Sequence, residues 1–416
     1  MLKIEGGRRL SGKLTVKGNK NSALPLIAAC LLTEEECTIE NVPRIRDVQV
    51  LLELLEGLGA EVHGAGSSTL RIRCRTVNSD RPDPAHVGKI RGSVLLLGPL
   101  LARRGSARLS LPGGDFPARR TISTHVQALV AMGAMPLQDA GHALEAPVGL
   151  HGASIYLDEA SVTGTETALL AAAAATGRTE IRHAATEPHV VELCRFLRGM
   201  GVSVEGEGTS TIRVEGSSKI GGTSHRLDGD YIEAGSWGVV AAITGGEIEV
   251  SGARSQDLEV IAAPLLKMGL RCTYDDDVLE VKPSAITAAK KITTGLWPGF
   301  PSDMVSLVTV LATQAEGRTL VHDWLYELRL FALEQLSAMR ADLFLCDPHR
   351  IIVTGPTKLR GRHLDSRDLR SGMALIAAAL AAEGESTVGP LETVERGYAS
   401  LVERLTMLGA NVERVG

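Results

Sequence analysis

A helix-ending phrase recurs six times along the chain: GLGAEV around Gly59, AMGAMP around Gly133, GMGVSV around Gly201, KMGLRC around Gly269, AMRADL around Arg340 and MLGANV around Gly409. The intervals are 74, 68, 68, 71 and 69 residues. A fixed period of this kind makes each unit one supersecondary block that cannot bury its apolar face without neighbours. Every block reads the same way: an Ala/Leu-rich helix, a short strand such as Thr38-Ile39 or Glu180-Ile181, an amphipathic helix closed by Gly, then two strands. The expected class is α/β, built from six helix-strand-helix-strand-strand units. The last block stops at Gly416, just past Gly409, and lacks most of its trailing strands. Residues 2–18, LKIEGGRRLSGKLTVKG, resemble the segments IRVEGSSKIGGTSHRL and IIVTGPTKLRGRHL that close other blocks. The N-terminal strands should therefore complete the sixth block. That places repeats one to three in a lobe of residues 20–228, and repeats four to six in a lobe of residues 1–19 plus 229–416.

Composition narrows what such a fold can bind. With 3 Trp, 5 Tyr and 5 Phe in 416 residues, the chain has few of the stacking platforms that single-stranded nucleic acid needs. A net charge of −5 gives no global basic field, so any anion site must be local. The longest uncharged apolar runs, residues 23–32 and 373–382, fall short of the roughly 18 residues of a membrane helix. The first of them follows a strand-like start and meets Glu34-Glu35-Glu36 without a small-residue cleavage pattern, so a cytoplasmic protein is expected. The six cysteines contain no C-x-x-C pair, and buried free thiols are expected rather than a zinc site or disulfides.

Because the blocks repeat, each serves as a control for the others. The N-terminus of a helix carries partial positive charge, so acids are usual there and bases are not. Lys20, Arg91 and Arg370 break that rule at first helices, and Arg120, Arg329 and Arg396 at or near second helices, whereas the equivalent positions of blocks three and four carry Glu187 and Asp257. Each base taken alone is most simply a solvated side chain at a frayed end. Six together point to an anionic ligand carrying phosphate or carboxylate. Asp303 and Asp368, in contrast, read as ordinary first-turn caps. Block two has an insertion: Leu109 to Gly133 spans 24 residues, where Ile39 to Gly59 and Ile181 to Gly201 span 20. Its Leu111-Pro112-Gly113-Gly114-Asp115 is either a surface turn or an acid-bearing lid within loop 111–120.

In this order and phase, the motifs resemble the enolpyruvyl transferase family over essentially the whole chain. They are GNKNSALPL at 18–26, RGSVLLLGPL at 91–100, LPGGD at 111–115 with Arg120, SVTGTE at 161–166, EPHVVELCRFL at 187–197, FPSDM at 300–304, YELR at 326–329, DLRSG at 368–372 and ERGY at 395–398. The branch that acts on shikimate 3-phosphate enters with a Ser-Lys-Ser-type motif, where this chain has Asn19-Lys20-Asn21. The resemblance implies a two-lobed inside-out α/β barrel closing over phosphoenolpyruvate and UDP-N-acetylglucosamine in peptidoglycan precursor synthesis, with no metal or other cofactor. By motif match, Lys20, Arg120 and Arg396 would hold the phosphate, and Arg329 and Arg370 the carboxylate. Asp303 would be the base at the sugar 3-hydroxyl, Asp115 the lid acid, and Asp368 a participant in proton handling. Asn21, Arg91, Ser161, Val162, Gly164 and Leu325 would contact the nucleotide sugar.

Four departures from the family pattern accompany the match. Asp115 replaces the usual lid Cys, Thr121-Ile122-Ser123 replaces a run containing a uracil-facing acid, Glu159 stands for a Lys, and Leu328 and Thr393 stand for Asn and His. The donor chemistry is thus complete while the nucleotide-facing set is altered. Two other readings stay open at this point: an enolpyruvyl transferase with a different nucleotide or sugar acceptor, and a non-catalytic nucleotide-sugar-binding paralogue. Retention of Lys20, Asp115, Asp303 and Asp368 speaks against the second, since binding alone needs no proton donor.

Overall fold

The computed structural model describes residues 1–113, 121–138, 142–327 and 329–416. Asp115, Arg120, most of the lid loop and Leu328 lie outside them. The chain divides into two compact units, one containing residues 1–17 and 229–416, the other residues 18–113 and 121–228.

Within each unit the first helices lie innermost. Tyr231–Ile243 is buried along its whole length, as is Val305–Ala312, and Leu369–Ala381 is buried through Leu380. A helix apolar on every side must be enclosed on every side. These three pack on one another, and Lys20–Ala29, Leu97–Arg104 and Val162–Ala173 with the 3₁₀ segment Arg91–Leu96 form the corresponding group of the other unit. Small residues permit the close approach: a Cβ on Gly98 would stand 3.0 Å from the Thr167 carbonyl. Second helices such as Arg46–Gly57 and Pro188–Gly199 bury one face only.

Six separate open sheets cover the helices, five of four strands and one of three among the described residues. The four-stranded sheets share one pattern. Arg178–Arg182 pairs antiparallel with Thr211–Glu215, which pairs with Ser203–Glu205, while Ser154–Tyr156 runs parallel along the other edge. The short parallel strand was not part of the unit expected from the sequence. It adds a strand leading into the next first helix, seen again at Ser11–Thr15, Ser224–Arg226, Lys291–Thr293 and His363–Asp365. In the last sheet Leu2–Glu5 lies between Glu385–Gly389 and Asn411–Arg414, so the chain's first strand occupies the hairpin position beside its last.

The recurring phrase is a helix C-cap. Gly59, Gly133, Gly201, Gly269 and Gly409 all have φ between 80° and 105°, and in each the next residue's N–H reaches back five positions, as from Val202 to the Leu197 carbonyl at 3.0 Å. This satisfies a carbonyl the helix end would leave open. Block five keeps the same bond, from Ala341 to Leu336 at 3.0 Å, although its left-handed residue is Arg340 at φ 74°.

Two second helices differ from the expected unit. The second helix of block five is 3₁₀, Arg329–Ser337. That of block six is split into Leu391–Glu395 and Leu401–Met407, so Arg396 follows a short helix instead of starting a long one. The cysteines also depart in part: Cys30, Cys37, Cys74 and Cys194 are buried, but Cys272 is half-buried and Cys346 is exposed on the edge strand Asp342–Asp347. Among the described residues no helix is long and apolar enough to cross a membrane.

Candidate active site

In the unit of residues 229–416 the structure gathers the start of the helix Leu369–Ala381, the turn Ser302–Met304 and the start of the 3₁₀ stretch Arg329–Ser337. Asp368 is the cap its sequence position predicts: its Oδ1 accepts from the N–H groups of Arg370 at 3.0 Å and Ser371 at 2.9 Å. The Ser371 hydroxyl bonds its other oxygen. Asp303 is not a cap. Its Oδ1 accepts from Arg329 Nη1 at 3.2 Å, and its Oδ2 accepts from Arg370 Nε and Nη2, both at 3.1 Å. One carboxylate is therefore shared by two guanidiniums. Pro301 occupies the cap position of that turn, with no side-chain cap bond, and Asp303 follows as its second residue.

Both guanidiniums are further fixed. Ser302 Oγ donates to the buried Asp323 carboxylate at 2.6 Å and accepts from Arg329 Nη1 at 2.8 Å. Arg329 also stands over the Tyr326 ring, 4.7 Å from its centroid. Burial works against the charge of Arg370, but Asp303, Tyr398 and Asp230 more than offset it, so the residue is held protonated beyond the ordinary guanidinium range. Burial likewise opposes the Arg329 charge, with Asp303, Asp323 and Tyr326 outweighing it. Leu325 lies beside this group, its N–H 3.3 Å from Asp323 Oδ1. Asp323, at 0% exposure, is a buried acid that sequence reading missed, since nothing local to a strand end marks it.

In the unit of residues 18–228, Asn19 caps Lys20–Ala29 by accepting from the Asn21 N–H at 2.7 Å. Lys20, the first helical residue, sets its Nζ 2.8 Å from Asp47 Oδ2. The cation at this N-terminus thus has an acid supplied by the first turn of Arg46–Gly57, a partner the sequence did not reveal. Ser161 caps Val162–Ala173, its Oγ accepting from the Gly164 N–H at 3.2 Å. Val162 opens that helix, and a Cβ on Gly164 would stand 3.0 Å from Ser161 Cβ. Arg91 begins a 3₁₀ segment and donates to the Thr121 carbonyl. Next to it His125 Nε2 lies 2.8 Å from Thr163 Oγ1, and burial together with the Arg91 charge lowers that imidazole to about 3. The substituted positions join the same neighbourhood: Thr124 Oγ1 lies 3.5 Å from Glu159 Oε1, and Thr121 and Ser123 hydroxyls are 2.8 Å apart.

The helices buried in each unit, the six repeated blocks and this charge set define a class, and sequence comparison agrees with it. A family described as EPSP synthase (3-phosphoshikimate 1-carboxyvinyltransferase) matches residues 4–405, and the chain belongs to this enolpyruvyl transferase family. Within it, the chain is 44% identical to the UDP-N-acetylglucosamine 1-carboxyvinyltransferase of Bradyrhizobium diazoefficiens, over 99% of this chain and 97% of that one. It is 40% identical to the protein of that name from Treponema denticola, over 99% and 98%. Among solved structures, the enolpyruvyl transferase NikO from Streptomyces tendae matches with a TM-score of 0.89 at 26% identity, over 99% and 98% of the two chains.

Proposed function

We propose that this protein transfers the enolpyruvyl group of phosphoenolpyruvate to the 3-hydroxyl of UDP-N-acetylglucosamine, releasing phosphate, as a cytoplasmic step toward peptidoglycan. Full-length similarity at 38–44% to proteins named for that reaction supports the acceptor. The observation that carries the chemistry is the Arg329–Asp303–Arg370 group, a carboxylate poised between two buried cations.

The reaction adds the sugar oxygen to C2 of phosphoenolpyruvate while C3 gains a proton. Phosphate then leaves C2, and C3 loses a proton to restore the double bond. Three demands follow: countercharge for a strongly anionic donor, a base for the hydroxyl proton, and an acid for C3. Arg329 and Arg370 supply countercharge to the donor carboxylate. That carboxylate has the charge and fork geometry of the Asp303 side chain, so it competes for the same guanidinium donors and releases Asp303 oxygens toward the hydroxyl. Lys20, Arg120 and Arg396 serve the phosphate. Asp115 is the acid for C3, with Asp368 assisting proton movement. Asn21, Arg91, Ser161, Val162, Gly164 and Leu325 position the nucleotide sugar.

Phosphate release from phosphoenolpyruvate, measured with UDP-N-acetylglucosamine and with a panel of other UDP-sugars and nucleotides, tests the reading. Release confined to UDP-N-acetylglucosamine is the expected result. Release only with another acceptor, or none at all, overturns it.

A further inference from the structure

Arg370 is held on two edges. The Nε and Nη2 edge meets Asp303. The remaining nitrogen, Nη1, donates to Tyr398 Oη at 3.2 Å, with the guanidinium centre 5.7 Å from the Tyr398 ring. Tyr398 has 0% exposure, so its hydroxyl needs a partner within the protein. It has one at 2.8 Å in Ser236 Oγ, which is also fully buried.

The direction of this contact follows from proton counting. A serine hydroxyl carries one hydrogen. Ser236 spends it on the Ile232 carbonyl one turn earlier in the helix Tyr231–Ile243, at 2.7 Å. Toward Tyr398 it can only accept. Tyr398 must therefore donate to Ser236, which leaves its oxygen lone pairs for Arg370 Nη1. The bonds run one way: Arg370 to Tyr398 to Ser236 to the Ile232 carbonyl. Such chains polarise each member, and the terminal carbonyl belongs to a rigid buried helix. Tyr398 is in turn kept close to the start of Leu369–Ala381, because a Cβ on its neighbour Gly397 would fall 2.7 Å from Leu369 Cδ2.

We propose that Tyr398 and Ser236 form a positioning relay that fixes the plane and reach of the Arg370 guanidinium for the carboxylate of the enolpyruvyl donor. The inference rests on the reaction proposed above. The Asp303 edge exchanges its partner when a substrate anion arrives; the Tyr398 edge is a buried hydroxyl contact and keeps its geometry throughout. Without it, Arg370 keeps its charge and loses its aim.

Steady-state kinetics of Tyr398→Phe, Ser236→Ala, Ser236→Thr and the Tyr398→Phe/Ser236→Ala double variant, with each substrate varied in turn, test the relay. Tyr398→Phe retains the ring and should raise KM for phosphoenolpyruvate roughly tenfold, as loss of a hydrogen bond to a charged group does, with KM for UDP-N-acetylglucosamine unchanged. Ser236→Ala should raise the same KM by less, Ser236→Thr should restore it, and the double variant should be no worse than Tyr398→Phe. Additive single effects, an equal rise in both KM values or an unchanged phosphoenolpyruvate KM overturn the relay while leaving the reaction intact. If Tyr398→Phe fails to fold, the Ala and Thr variants of Ser236 decide alone by the same split. A wild-type protein that releases no phosphate overturns the reaction itself, and the relay with it.

Discussion

Arg370 Nε donates to Asp303 Oδ2 at 3.1 Å across 67 residues of sequence, joining the start of a buried helix to a turn that lies one α-helix, four strands and a 3₁₀ stretch earlier in the chain. The pair is part of a three-member group, since Arg329 Nη1 lies 3.2 Å from the other oxygen of the same carboxylate. Asp303→Asn would leave two buried guanidiniums facing a neutral amide. Breaking a buried ion pair costs about 3–5 kcal/mol, and the lower figure applies because the Asp303 side chain keeps 27% of its surface. We expect turnover to fall by about 10²–10⁴-fold for loss of a general base. Phosphoenolpyruvate binding measured by calorimetry should not weaken, because the internal competitor for both arginines is gone. Weaker binding in Asp303→Asn would show that Asp303 helps hold the donor and does not compete with it.

Two buried groups of the unit containing residues 18–228 should tilt its stability with pH in opposite senses. His125 is lowered from the ordinary imidazole range to about 3 by burial and then by Arg91, so between about 3 and 6.5 the unfolded chain binds the extra proton. Stability contributed by neutral His125 is complete above that window and is lost as pH falls through it, by at most about 1.4 kcal/mol per pH unit. Glu166 is the reverse case: burial, then repulsion from Glu187, raises its carboxyl well above the usual value. The folded state keeps that proton, so its contribution is complete below about 4.5 and is lost as pH rises toward the folded value. Melting temperature against pH should therefore fall less steeply below pH 6 in His125→Gln, and less steeply above pH 5 in Glu166→Gln. Parallel wild-type and variant curves would contradict both assignments.

The sixfold period was legible because a helix C-cap is a local event, written in four or five consecutive residues and repeated. The charge-breaking positions Lys20, Arg91, Arg329 and Arg370 were legible for the same reason, as exceptions to a local rule. What the sequence hid was every partner brought from afar: Asp47 for Lys20, Asp323 for Ser302, and Ser236, 162 residues from the Tyr398 it meets. The short parallel strands were hidden too, since three residues such as Ser154–Tyr156 show no alternation long enough to read, and their pairing is decided by the neighbouring block. Asp303 was misread as a cap because an acid in a helix's first turn reads as one, whereas the cap position belongs to Pro301. Only the fold shows that the arginines face it.

The same C-cap yields a stability test away from the site. Arg340 holds at φ 74° a conformation that the other five blocks give to glycine. An L-residue with a Cβ is strained there, while the added freedom of an unfolded glycine partly offsets the gain. Arg340→Gly should stabilise the protein by about 0.5–1 kcal/mol, and Gly201→Ala should destabilise it by about 1 kcal/mol. Urea denaturation resolves differences of that size. A destabilised Arg340→Gly would mean that the arginine side chain contributes more than its backbone costs.

The last expectation concerns Asp115, which replaces the lid cysteine of the family. Epoxide inhibitors of these enzymes, such as fosfomycin, act by alkylating that cysteine, and a carboxylate is a far weaker nucleophile toward an epoxide than a thiolate. This protein should resist them. If Asp115 gives C3 its proton, it must be protonated before turnover, and activity should decline as pH rises through its value in the loaded enzyme. Asp115→Asn preserves shape and removes the proton, so product formation should nearly vanish while nucleotide-sugar binding persists. Asp115→Cys should keep activity and acquire fosfomycin sensitivity. An Asn variant with normal turnover would remove Asp115 from the chemistry and pass the proton-donor role to Lys20 or Asp368. Lys20 starts its helix 2.8 Å from Asp47, and Asp368 caps the helix that carries Arg370, so the two candidates would separate by mutation: Lys20→Met should also weaken donor binding, whereas Asp368→Asn should act on turnover first.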